Sequence, residues 1–67
     1  MKRDFEKVYT YHPPTPEQTS KYEEIRNLAK AFAERMEVLC PEGWEKSLAH
    51  TKLEEAVMWA NAAIARG

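Results

Sequence analysis

Four residues of this chain carry groups suited to holding a flat, negatively charged molecule: Tyr9, Tyr11, Arg26 and Lys30. Side chains alternate along an extended segment, so Tyr9 and Tyr11 share one side. Arg26 and Lys30 are four residues apart and share one face of a helix. Aromatic rings stack on nucleobases and cations meet phosphates, so together these groups have the chemistry of nucleotide binding. Each pair also has a plainer reading. Phe5, Tyr9 and Tyr11 could simply cover a hydrophobic edge, the usual work of aromatics. Arg26 and Lys30 could lie on a solvated face beside Glu23 and Glu34. A like-charged pair at this spacing mildly destabilises an isolated helix and is tolerable where it faces an anion. The residues themselves leave both readings open.

Nothing else resembles reactive chemistry. There is no Gly-rich phosphate loop, no G-x-S-x-G and no Cys–His pair set for nucleophilic attack. His12 and His50 have no acid–base partner near them in sequence. Cys40, His12 and His50 show neither C-x-x-C nor H-x-x-x-H spacing. The expectation is therefore a non-enzymatic protein with no metal and no cofactor. A net charge of −1 gives no basic field for polymeric DNA or RNA.

The elements that must position these groups are legible from spacing. Residues 1–14 read as an extended aromatic arm closed by Pro13 and Pro14, with a short strand possible at residues 7–11. Thr15-Pro16-Glu17-Gln18 is a helix start: Thr15 as N-cap, proline at the first position and Gln18 completing a capping box. Apolar residues then fall at Tyr22, Ile25, Ala29, Phe32, Met36 and Leu39, a heptad seam. This predicts a first helix over residues 15–40. Cys40-Pro41-Glu42-Gly43-Trp44 breaks it, and a second helix follows over residues 44–66. A connection this short joins antiparallel neighbours. The predicted fold is all-α, an antiparallel two-helix hairpin with an extended N-terminal arm, in a single domain.

The second helix has a stripe at Ala49, Leu53, Ala56 or Val57, Ala60 and Ala63 or Ile64, which can pack on the first. Between residues 56 and 65, however, its only polar side chain is Asn61. Val57, Met58, Trp59 and Ile64 point at four different angles, and one neighbouring helix cannot cover them all. A 67-residue chain with one cysteine has no internal disulfide and is close to the size limit for folding alone. A helical homo-oligomer is the expected remedy, with Val57, Met58, Trp59 and Ile64 in the interface. The lone cysteine suits a reducing cytoplasm. The longest apolar run is far below the roughly 20 residues of a membrane span, so no membrane partner is expected.

The runs F-x-x-x-Y-x-Y-H-P-P, Q-x-x-x-Y-E-E-I-R-x-x-A-K, C-P and K-L-E-E-A-V-M-W-A-N-A-A-I-A-R resemble a phage hairpin domain found in anti-CBASS and anti-Thoeris proteins. The resemblance spans residues 5–66, and M-W-A-N-A-A-I-A-R is its most specific part. It implies a non-enzymatic sponge in the cytoplasm of an infected bacterium. Such a protein would sequester cyclic dinucleotides, or cyclic trinucleotides or cyclic ADP-ribose isomers, in pockets between the subunits of a homohexamer. It implies that Tyr11 stacks on a base and Arg26 meets phosphate, with Tyr9 and Lys30 added from the residue argument above. Related sequences are expected to carry Ser-Arg in the turn, where this chain has Gly43-Trp44. That departure weakens any second pocket, which Lys46, Ser47 and Thr51 could still line. An oligomeric hairpin that binds another protein through the aromatic arm is the alternative.

Overall fold

The computed structural model describes residues 13–67. Within them the chain is two helices and no strand: α1, Pro16–Leu39, and α2, Trp44–Arg66, packed as a hairpin. The extended arm and the strand expected at residues 7–11 lie outside the described residues.

Local chemistry accounts for the ends of both helices. Thr15 is extended, and its Oγ1 accepts from Gln18 N at 3.1 Å while Thr15 N donates to Gln18 Oε1 at 3.0 Å. The capping box thus satisfies donors that the first turn of any helix leaves unpaired. At the other end Cys40 is again extended, as a residue before proline must be, and its N–H closes on Met36 O at 2.9 Å. Helix α2 starts behind Gly43 with no side-chain cap, and Glu45 supplies the favourable charge in its first turn. It ends with Arg66 in the last turn and Gly67 N bonded to Ala63 O.

The hairpin is tied at both ends. At the open end Gln18 Nε2 donates to Ile64 O at 3.2 Å. At the turn Lys46 Nζ donates to Glu37 O at 3.1 Å. These two ties fix the antiparallel register, which places Tyr22 level with Asn61 and Leu28 level with Glu55.

The seam runs through Tyr22, Ile25, Ala29, Ala33 and Met36 on α1 and Cys40 just after it, all partly covered. It meets Lys46, Leu53, Val57, Ala60 and Ile64 on α2. Two expected seam residues fall out of it: Phe32 is 58% exposed and Leu39 66% exposed. Their neighbours Ala33 and Cys40 take the places instead, because small side chains fit best where two helix axes approach. No apolar residue among those described is fully buried. The thinnest dimension of the chain is 15 Å, a single layer of helices.

Candidate functional site

Arg26 and Lys30 both stand exposed on α1, one turn apart on one face. Among the described residues, other lysines are engaged: Lys21 with Glu17 at 3.7 Å, Lys52 with Glu55 at 3.6 Å, and Lys46 with two glutamates. Neither Arg26 nor Lys30 has an ion-pair partner there. No described carboxylate neutralises them, and an exposed cation is what a phosphate contact requires. Tyr9 and Tyr11 lie outside the described residues.

The opposite side of α1 is different. Residues two apart on a helix project about 200° apart, so Leu28 and Phe32 face away from Arg26 and Lys30. With Ile25 they form one wall of a shallow apolar groove of about 260 Å³, whose other wall is Leu53, Ala56 and Ala60 of α2. A cation edge and an apolar face therefore occupy opposite sides of one helix.

The turn holds a third cluster. Lys46, 8% exposed, is the one buried charged residue among those described. Its Nζ sits 2.7 Å from Glu42 Oε1 and 3.0 Å from Glu37 Oε1, besides its bond to Glu37 O. Glu37 Oε2 in turn lies 3.2 Å from His50 Nε2. The hydrogen bonds that Lys46 donates to Glu42 and then to Glu37 push its ammonium above the ordinary lysine range. The hydrogen bond and charge of Lys46, with a smaller share from His50, hold the Glu37 carboxyl below the ordinary glutamate range. A hollow beside this cluster is lined by Cys40, Pro41, Glu42, Glu45 and Lys46. Its single cation is already paired, and its other charges are carboxylates.

Of the residues suggested for a second pocket, Lys46 is thus committed to the fold. Ser47 and Thr51 are exposed, and the Thr51 hydroxyl donates to Ser47 O at 3.1 Å. Of the residues suggested for the oligomer interface, Val57 and Ile64 are half-buried toward α1. Met58 and Trp59 are 56% and 60% exposed. Asn61, the one polar side chain of that run, buries an Oδ1 that accepts no hydrogen bond among the described residues. A buried acceptor normally has a donor.

Sequence reasoning missed the structural role of Lys46 and the link from Gln18 to Ile64. The first had a visible signal, the i, i+4 spacing of Glu42 and Lys46. The second had none. No group of side chains among the described residues could hold a metal ion, and no described helix is long and apolar enough to cross a membrane.

Searches of characterised proteins and of solved structures returned no match. A family model does match: Acb2/Tad1, hairpin domain, over residues 1–65. That match takes in α1, the turn and nearly all of α2, so the chain belongs to the Acb2/Tad1 hairpin-domain family, the anti-CBASS and anti-Thoeris sponges.

Proposed function

We propose that this protein binds and sequesters cyclic oligonucleotide signals of bacterial anti-phage immunity without cleaving them. Cyclic dinucleotides are the first candidates, and cyclic trinucleotides and cyclic ADP-ribose isomers the next. The observation that carries this reading is family membership over nearly the whole chain, joined to a cation edge on α1 that has no ion-pair partner among the described residues. A cyclic dinucleotide presents two phosphates and two base faces. Arg26, with Lys30 one turn on, supplies charge to the phosphates, and Tyr11 supplies a stacking face, with Tyr9 beside it in sequence. Stacking contributes roughly 1–3 kcal/mol per base. No acid, base, nucleophile or metal is needed for this task.

The proposed working form is a homo-oligomer, a hexamer on the family pattern, in the cytoplasm of the infected bacterium. A site assembled between subunits is formed before the ligand arrives, which lowers the ordering cost of binding.

The test is to incubate the purified protein with a panel of cyclic di- and trinucleotides and cyclic ADP-ribose isomers, remove free ligand, denature the protein and analyse what is released. Intact ligand is the expected result. Cleaved ligand would make the protein an enzyme. Absence of binding across the panel would leave the protein-interaction reading in its place. Arg26→Ala and Tyr11→Ala should each weaken binding at least tenfold, and unchanged affinity in either would remove that residue from the site.

A further inference from the structure

We propose that Glu54 of α2 reads the base of the bound cyclic dinucleotide and selects guanine. This rests on the functional reading above and adds a specificity-determining residue to the site built on Arg26 and Lys30.

The first support is position. Along α1, Lys30 follows Arg26 by one turn and Glu37 follows Lys30 by two, so all three share a face. Along α2, Glu54 follows His50 by one turn and shares its face. Glu37 Oε2 lies 3.2 Å from His50 Nε2, so these two faces open on the same side of the hairpin. The register set by the ties at Gln18 and Lys46 brings Glu54 level with Ala29, between Arg26 and Lys30. One carboxylate of α2 thus stands across the seam from the two cations of α1, and all three side chains are exposed. The second support is that α2 gives Glu54 no cation. Its neighbours one turn away are His50, Thr51, Val57 and Met58. Glu55 beside it pairs with Lys52 at 3.6 Å, whereas Glu54 forms no ion pair among the described residues, with Arg26 and Lys30 included.

The third is chemistry. An ionised carboxylate accepts hydrogen bonds and donates none. Beside groups that hold phosphate it repels the ligand unless donors come between, because like charges brought together cost binding. Guanine presents two adjacent donors, N1–H and the N2 amino group, on the edge by which proteins read an unpaired base. Two parallel donors match the two oxygens of a carboxylate. Adenine and cytosine set a ring-nitrogen acceptor beside their amino group, and uracil flanks its N3–H with two carbonyls. Each of these turns an acceptor toward a carboxylate oxygen and leaves it without a donor, which costs the contact. Arg26 and Lys30 hold the phosphates whichever base is present, and Glu54 supplies the choice.

The closing experiment is calorimetric titration of the full chain with cyclic di-GMP, cyclic di-IMP and cyclic di-AMP. The wild type should bind cyclic di-GMP roughly tenfold or more tightly than cyclic di-AMP. Cyclic di-IMP keeps N1–H and lacks the N2 amino group, and should fall between them. Glu54→Gln should weaken cyclic di-GMP by roughly tenfold or more and tighten cyclic di-AMP, because it swaps an acceptor for a donor and removes a charge that repels phosphate. Retained cyclic di-AMP binding also shows that the variant is folded. If Glu54→Gln tightens all three ligands alike, the residue acts through charge only and the proposal is overturned. An unchanged preference in the variant, or loss of all three ligands, overturns it as well. A wild type that binds cyclic di-GMP and cyclic di-AMP equally sinks this inference alone. A wild type that binds none of the three also sinks it, and the wider ligand panel then decides the functional reading separately.

Discussion

At each end of the hairpin, a side chain of one helix satisfies a terminal carbonyl of the other, but the two ends do it with different chemistry. At the open end a neutral carboxamide, Gln18, reaches Ile64 O. At the turn an ammonium, Lys46, reaches Glu37 O and two carboxylates as well. The last four carbonyls of a helix lack intrahelical donors and carry the negative end of its dipole. The last turn of α1 has no basic residue of its own, so α2 provides one. The last turn of α2 already has Arg66, and a neutral donor suffices there. Charge is thus concentrated at the turn and absent from the tie at the open end.

Several substitutions would break this contrast, and the largest effect should come from Lys46→Met. It leaves Glu37 and Glu42 facing each other and Glu37 O without its donor. In thermal unfolding at matched chain concentration it should cost more than any capping variant, and faster amide exchange should appear first around residues 36–40. A stability loss no greater than that of Thr15→Ala would mean that the cluster is solvated decoration.

Acid and alkali should act on the same end. The Glu37 carboxyl is held below its ordinary value, so its contribution is complete above the ordinary glutamate range and is lost as pH falls through the lowered value. The Lys46 ammonium is held above its ordinary value. Its contribution is therefore complete below the ordinary lysine range and is lost as pH rises through the raised value. Stability should be flat between these limits, and Lys46→Met should flatten both flanks. Flanks that persist in that variant would place the titrating groups elsewhere.

At the open end Gln18→Ala removes half of the capping box and the tie to Ile64, and should cost about 1–2 kcal/mol. Thr15→Ala removes the cap alone, about 1 kcal/mol. Neither should alter the pH profile. If the two variants lose equal stability, the bond to Ile64 contributes nothing.

What could be read in advance followed the range of the interactions. Thr15, Pro16 and Gln18 announce a helix start because a capping box is closed within four residues. Pro41 and Gly43 announce the break for equally local reasons. The shared face of Arg26 and Lys30 also follows from spacing alone. The seam was misjudged at Phe32 and Leu39 because a three-four pattern tolerates a shift of one residue. Only the approach of α2 shows that Ala33 and Cys40 are the covered ones. Lys46 was expected only as a possible lining of a second pocket, since its burial depends on Glu37 coming back across the turn. That the cation edge and the apolar groove lie on opposite sides of α1 required knowing which stripe of α2 faces it.

Gln18 makes the first turn of α1 and the last turn of α2 a single joint, because one side chain caps Thr15 and holds Ile64. A deletion that removes Ile64, or a fusion that unwinds the end of α2, would be felt at the capping box of α1. The first turn of α1 and the last turn of α2 thus form one mechanical unit, and a cut or fusion within either should loosen both.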